Sequence, residues 1–184
     1  MPNQNTNRGD ERHAPPRIAI HEAGHAVSAH VLEIPLESCS IVHPVGGTAS
    51  YNIEAKLDAI KSRGLGMQAT AEAFRNVGRD CIAIALGGRI AEELFATEGV
   101  SGDQAYAGDE VDIEDLFYRL ALGGPLRQRE RAKIRTEEQE RAARLLGEND
   151  AAVMAVAEQL ARRKTLDAGE LSEIIRTALK QARG

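Results

Sequence analysis

Apolar residues recur every three to four positions along most of the chain, which is the period of an amphipathic α-helix. The helices predicted from this period cover about 17–32, 69–95, 109–122, 126–146, 150–164 and 167–182. Residues 55–62 are left open as a further short helix. Gly87-Gly88 interrupts the longest segment, at a cost of about 1 kcal/mol per glycine relative to alanine. Such a pair often permits the close approach of another helix or backbone segment.

One region shows a different pattern, with two β-like runs at Ser38–His43 and Thr48–Ile53. Pro44–Gly47 lies between them and has the proline and glycines of a turn, so the region predicts an antiparallel β-hairpin. The fold class expected is therefore mainly α with one small hairpin. Residues 1–14 are expected to be a disordered N-terminal tail, and residues 15–184 are expected to form one domain.

Composition narrows the classes of function. Acidic residues outnumber basic ones by 28 to 23, the net charge is −5, and aromatic residues make up 3% of the chain. These features disfavour nucleic-acid binding, which relies on clustered basic charge and on aromatic side chains that stack on bases. No apolar run approaches the roughly 20 residues of a membrane span. No lysine follows a glycine, as it would in a nucleotide-binding P-loop.

The cysteines and the N-terminal segment bear on the compartment. Cys39 and Cys81 are far apart in the sequence and form neither a metal-binding nor a redox pair. They are expected to be buried, inert thiols in a reducing environment. The N-terminal segment lacks the apolar stretch of a secretory signal. A cytoplasmic protein with no nucleic-acid and no membrane partner is therefore expected.

The segment with the clearest chemistry lies inside the first predicted helix, where residues 21–25 are His-Glu-Ala-Gly-His. Residues four apart share one face of a helix, so the imidazoles of His21 and His25 can reach a single metal ion. Glu22 lies about 100° further round the helix, where it can hold a water molecule bound to that ion. Zinc acidifies such a water and Glu22 is expected to be the general base, so the motif predicts peptide-bond hydrolysis.

A catalytic zinc ion needs a third protein ligand, which the motif does not identify. His30 lies five residues after His25 and well round the same helix, so it is expected to pack or hydrogen-bond rather than to complete the site. The remaining candidates are the acidic residues Glu92, Glu93, Asp103, Asp109, Asp112 and Asp115.

Four segments together resemble the peptidase domain of the FtsH-type, AAA-linked zinc proteases. They are Ile20–Ala26 (IHEAGHA), Ile41–Pro44 with Gly46, Gly47 and Tyr51, Ile84–Glu93 (IALGGRIAEE), and Lys164–Asp167 with Glu170 and Leu171. The first and third segments in this order are more specific than the zinc-binding motif alone. The resemblance implies a zincin-like helical peptidase domain that contains Zn²⁺.

The resemblance also implies roles for acidic residues. In that family an aspartate at a helix start binds the zinc, and the spacing from Gly108 matches Asp112 to it. Asp109 and Asp115 remain alternatives, and Asp109 could equally be the N-cap of this helix. Glu92 matches an acidic residue near the family's metal and is expected to orient one of the ligands.

Departures from the family restrict what is expected of the chain. The ATPase module and the membrane anchor are absent from this sequence, and the stretch after the helix of Asp112 is cut to Gly123–Pro125 and its neighbours. The expected substrates are therefore peptides and accessible or unfolded protein segments. An ATPase unfoldase acting in trans and a homo-oligomer are both left open. The hairpin either offers the substrate an edge strand or is purely structural.

Two other interpretations remain. One is a non-catalytic module that keeps the peptidase fold and binds peptides or a partner; it is disfavoured because a binding role has no need of Glu22. The other is a metallopeptidase in which Glu92 or Glu93 is the third zinc ligand.

Overall fold

The computed structural model describes residues 14–43, 46–97, 107–120 and 126–182. These residues form seven helices and three strands. In chain order they are α1 (Arg17–Val31), β1 (Leu36–His43), β2 (Gly46–Tyr51), α2 (Ile53–Lys61), α3 (Met67–Phe95), α4 (Ala107–Leu120), α5 (Gln128–Glu148), α6 (Asp150–Arg163), β3 (Thr165–Asp167) and α7 (Ala168–Ala182). The mainly helical class expected from the sequence is confirmed. The predicted tail, apart from Ala14, lies outside the described residues.

Helix α1 lies at the centre of the fold, where it packs against α3, α6 and the sheet. It begins directly after Pro15-Pro16, and the first turn of a helix tolerates the missing N–H of proline. Ten of its fifteen residues are buried, because small side chains such as Ala19, Ala23 and Ala26 let neighbouring elements approach on several sides. The His-Glu-Ala-Gly-His motif is therefore carried by an interior helix.

Helices α1 and α3 cross at Gly24 and Gly87. A Cβ atom added at Gly24 would lie 2.4 Å from the carbonyl oxygen of Gly87, and one added at Gly87 would lie 2.7 Å from the hydroxyl of Ser28. The crossing therefore requires glycine at position 24, where a Cβ atom would overlap backbone, whereas at position 87 a Cβ atom would force the Ser28 hydroxyl to move. The close approach expected from Gly87-Gly88 is confirmed, and the packing it allows offsets the helix-propensity cost.

The three strands form an antiparallel sheet in the order β2-β1-β3. The pairing of β1 with β2 confirms the predicted hairpin, with Cys39 opposite Ala49, but the second strand covers Gly46–Tyr51 instead of the predicted Thr48–Ile53. Strand β3 is missing from the sequence-based prediction, because three residues are too few to show a strand period. It forms because Leu166 is buried while the residues on either side are exposed.

Side-chain caps explain where two helices begin. Asn52 accepts a hydrogen bond from the backbone N–H of Ala55 at 2.9 Å, so β2 ends before it and α2 follows it. Asp167 and Glu170 form a capping box at α7, in which each side chain accepts from the other's backbone N–H at 2.9 and 3.0 Å. Because α2 forms, the described residues hold seven helices: the six predicted from the period and the short one left open.

Buried apolar residues form two clusters. The larger lies among α1, α3, α4, α5, α6, α7 and the sheet and includes Cys39, whereas the smaller joins α1, α2 and α3 and includes Cys81. Both cysteines are buried and form no disulfide, so their expected burial is confirmed.

A buried carboxylate joins α3 to α5. Glu138 is 1% exposed and accepts hydrogen bonds from Arg79 at 2.6 Å and from Arg141 at 3.2 Å. Arg141 also pairs with Asp80 on α3 at 2.7 Å. Removing one partner would leave a buried charge unpaired, at a cost of about 3–5 kcal/mol, so the contact between the two helices depends on every member of this network.

Helix α3 has 29 residues and is the longest helix described. Charged residues occur along its length, and none of the described helices combines the length and apolar character needed to cross a bilayer.

Candidate metal centre

His21 and His25 lie on one face of α1, with their Nε2 atoms 3.0 Å apart. Their side chains are 12% and 9% exposed, and the two rings meet edge to face at 77°. Two unprotonated ring nitrogens this close repel each other, so a proton or a metal ion must lie between their lone pairs.

Asp109, in the first turn of α4, brings a carboxylate to the two imidazoles. Its Oδ2 lies 3.3 Å from His21 Nε2, and its Oδ1 lies 3.6 Å from His25 Nε2. Among the His, Cys, Asp and Glu side chains in the described part of the chain, these three form a group able to hold a metal ion, with one ligand atom from each within 4.8 Å of the others.

This grouping differs from the sequence-based choice of Asp112 as the third ligand. Asp112 lies three residues further along α4, is exposed and does not join the group, although it lines the same pocket. Asp115 is exposed too and stays outside. The physical reason is the start of α4 at Ala107, which puts Asp109 within the first turn instead of at the N-cap. Asp103 lies outside the described residues.

The spacing of these three side chains suits a zinc ion. Zinc bonds of about 2.0–2.1 Å in tetrahedral geometry place neighbouring ligand atoms about 3.3 Å apart, and the separations here are 3.0, 3.3 and 3.6 Å. Gly88 keeps the space beside the imidazoles open, because a Cβ atom there would lie 2.4 Å from His25 Nε2 and 2.6 Å from His21 Nε2. Two imidazoles and one carboxylate are also a ligand set that catalytic zinc sites use.

The second nitrogen of each imidazole has its own partner. His25 Nδ1 donates to the carbonyl oxygen of Ile84 at 2.7 Å, and His21 Nδ1 donates to Glu92 Oε1 at 2.9 Å. Such partners keep the proton on Nδ1 and leave Nε2 unprotonated for a metal ion. Glu92, which is 4% exposed, thus lies behind His21 in the place expected of a residue that orients a ligand.

The other candidate ligands lie away from the group. Glu92 contacts Nδ1 of His21, on the side of the ring opposite Nε2. Glu93 pairs with Arg89 at 2.9 Å. His30 is not part of the group either. The geometry therefore does not favour a third ligand from Glu92 or Glu93.

Glu22 is 4% exposed and lies against the hairpin. A Cβ atom at Gly47 would lie 2.3 Å from Glu22 Cγ, so glycine in β2 makes room for the carboxylate. Glu22 Oε2 and Asp109 Oδ2 are buried and have no hydrogen-bond partner among the described residues. Buried polar atoms without partners are costly, and a bound cation with its water would satisfy both oxygens.

Burial and neighbouring charges shift three pKa values in the site. Burial lowers the pKa of His21, but the carboxylates of Asp109 and Glu92 outweigh it and raise this pKa to about 9. Burial, together with the nearby His21, lowers the pKa of His25 to about 4. Burial raises the pKa of Glu22 to about 7. Without a metal ion these shifts favour the extra proton on His21, a positive charge that a bound metal ion would replace.

The site opens into a pocket of about 240 Å³. Its wall includes Glu22, His25, Ala85, Asp109 and Asp112 together with four residues of β2, namely Gly47, Thr48, Ala49 and Tyr51. Thr48, Ala49 and Ala85 are not among the candidate site residues predicted from the sequence. The signals for this wall are the match of Gly47, Tyr51 and the segment Ile84–Glu93 to the FtsH-type peptidases, and the alternative that the hairpin offers an edge strand to the substrate.

No protein-family model matches the chain, and no curated protein is significantly similar to it in sequence. The resemblance to FtsH-type peptidases therefore rests on the quoted motifs.

Proposed function

We propose that this protein is a zinc-dependent metalloendopeptidase that hydrolyses peptide bonds in accessible or unfolded polypeptides. One observation carries the proposal: His21 Nε2, His25 Nε2 and the Asp109 carboxylate converge within 3.0–3.6 Å of one another. The buried Glu22 carboxylate lines the same pocket. This arrangement has the ligands and the base that zinc-dependent hydrolysis requires.

His21, His25 and Asp109 would hold the metal. Zinc bound there would polarise a carbonyl oxygen and lower the pKa of a water molecule. Three protein ligands are typical of catalytic zinc sites, whereas structural sites usually have four.

Glu22 would be the general base and then the general acid. Its Oε2 has no hydrogen-bond partner among the described side chains and backbone groups. It can therefore accept a proton from the attacking water and donate it to the amine nitrogen of the departing product. Gly47 leaves the space that this carboxylate needs.

The strand beside the site favours a polypeptide substrate. Strand β2 lies at one side of the described sheet, and Gly47, Thr48 and Ala49 of this strand line the pocket. An extended peptide can add to such a strand through main-chain hydrogen bonds. Because strand addition requires an extended backbone, unfolded or accessible segments are the favoured substrates.

The test compares the wild type with Glu22→Gln, which keeps the size of the side chain but cannot accept a proton. We expect both proteins to bind about one zinc per chain and only the wild type to hydrolyse casein, with the rate falling at least about 100-fold in the variant. Bound zinc is measured by elemental analysis after dialysis.

Two results would overturn the proposal. If the wild type retains no zinc after zinc has been supplied, the ligand assignment fails. If the wild type binds zinc but cleaves neither casein nor other unstructured proteins, the chain is better described as a binding module that keeps the peptidase fold.

A further inference from the structure

We infer that Arg17 is a positioning residue of the metal centre, which acts on His21 through Glu92. The inference rests on the proposed function, because it concerns a zinc ligand. Arg17 is the first residue of α1 and lies four residues before His21, so both side chains project on the same side of the helix. Glu92 is on α3, 75 positions from Arg17 along the chain.

The Glu92 carboxylate accepts hydrogen bonds from two side chains of α1, those of Arg17 and His21. Arg17 donates from Nε at 3.2 Å and from Nη2 at 2.7 Å, and both bonds go to Glu92 Oε2. The other oxygen, Oε1, accepts from His21 Nδ1 at 2.9 Å. The guanidinium and the imidazole therefore bind opposite oxygens of one carboxylate.

Burial makes this arrangement sensitive to Arg17. Glu92 is 4% exposed and His21 is 12% exposed, whereas Arg17 is 27% exposed. A buried carboxylate is costly unless a charge and hydrogen bonds compensate it. The planar guanidinium supplies both and restricts rotation of the carboxylate.

The orientation of Glu92 determines which nitrogen of His21 faces the metal. While Oε1 accepts from Nδ1, the proton stays on Nδ1 and the lone pair stays on Nε2. Nε2 is the atom that lies 3.0 Å from His25 Nε2 and 3.3 Å from Asp109 Oδ2. Without Arg17, Glu92 can turn away, and His21 would lose the bond that selects this tautomer.

The test is the dissociation constant of zinc, measured by competition with a chromophoric chelator. The proteins are the wild type, Arg17→Gln, Arg17→Lys and the control Arg176→Gln. Arg176 is exposed on α7 and pairs with Glu173 at 2.6 Å, so the control removes the same charge from a helix that contributes no residue to the metal centre. We expect Arg17→Gln to weaken zinc binding about 10-fold, Arg17→Lys to weaken it less, and Arg176→Gln to leave it unchanged.

A second measurement separates positioning from a merely structural contact between α1 and α3. In the zinc-loaded wild type, the His21 Nδ1 proton should give a protected, low-field NMR resonance, and in Arg17→Gln its exchange with water should be faster. Thermal unfolding verifies that each variant is folded. If Arg17→Gln does not fold, Arg17→Lys is compared with the wild type in its place.

Different results refute different claims. If Arg17→Gln and Arg17→Lys bind zinc within about two-fold of the wild type, the role of Arg17 is refuted while the proposed zinc site stands. An equal loss of zinc affinity in Arg176→Gln would also refute the role of Arg17, since the loss would then result from the change in net charge. A wild type that binds no zinc would overturn the proposed function together with this inference.

Discussion

Asp109 and Asp112 lie three residues apart on α4 and line the same pocket, yet only Asp109 reaches both imidazoles. The Asp109 side chain is 24% exposed, whereas Asp112 is exposed. A carboxylate in a partly buried site interacts more strongly with a cation, because less water screens the charges. Position and burial therefore both favour Asp109 as the ligand.

Substituting the two aspartates one at a time tests this choice. We expect Asp109→Asn to weaken zinc binding at least about 100-fold, since it removes a direct ligand, and Asp112→Asn to change it less than about three-fold. The two variants make the same chemical change on the same helix, so each is the control for the other. The chelator competition used for Arg17 gives both dissociation constants.

The reverse order of effects would restore Asp112 as the third ligand, as the resemblance to the FtsH-type peptidases implies. Equal, small effects would mean that neither aspartate binds the metal.

At the scale of elements, the crossing of α1 and α3 sets the dimensions of the site. The same crossing brings Gly88 beside the two imidazoles and Glu92 behind His21. Gly24 lies between the two histidines in the sequence and contacts Gly87 across the helix pair. Gly24 and Gly87 therefore set the distance between α1 and α3, although neither residue belongs to the metal-binding group.

Gly24→Ala should separate the two helices. Its Cβ would lie 2.4 Å from the Gly87 oxygen and 2.6 Å from Ala91 Cβ, and overpacking of this kind costs about 1–3 kcal/mol, more than the gain in helix propensity of about 1 kcal/mol. We therefore expect a lower free energy of unfolding in urea for the metal-free protein.

Gly147→Ala is the matched control, because a Cβ atom at this helical position in α5 meets nothing within 4 Å. It should stabilise the protein by about 0.5–1 kcal/mol. If Gly24→Ala also stabilised the protein, the close crossing would not exist in solution.

At the scale of the whole molecule, the two apolar clusters each contain one thiol. Cys39 is in the larger cluster and Cys81 in the smaller, and they are 0% and 1% exposed. Burial also raises the pKa of Cys39 well above its usual range, which suppresses the reactive thiolate. The two thiols therefore report on the opening of two different parts of the core.

We expect neither cysteine to react with a thiol reagent in native buffer within the time that an unfolded control reacts completely. If the chain unfolds in one cooperative transition, both should become reactive at the same urea concentration. Pulsed alkylation followed by mass spectrometry measures each site, and Cys39→Ser and Cys81→Ser confirm the assignment. Rapid reaction of either thiol in native buffer would show that its cluster is open.

Much of the fold follows from local pattern. The helical period predicts six of the seven described helices to within a few residues, and the turn residues between two β-like runs predict the hairpin. The short strand β3 has no detectable period. It forms where Leu166 pairs with Cys39 of β1 and is buried. The short helix α2, left open by the pattern, depends on its cap at Asn52.

The sequence by itself determined that His21 and His25 share a helix face with Glu22 beside them, because spacing within one helix is set by its local geometry. It left six acidic residues as candidates for the third ligand. Only the tertiary structure decided that Asp109 reaches the imidazoles and that Glu92, 71 positions from His21, lies behind one of them. Contacts between distant segments depend on how whole helices pack against one another. The period of apolar residues within a single helix does not predict that packing.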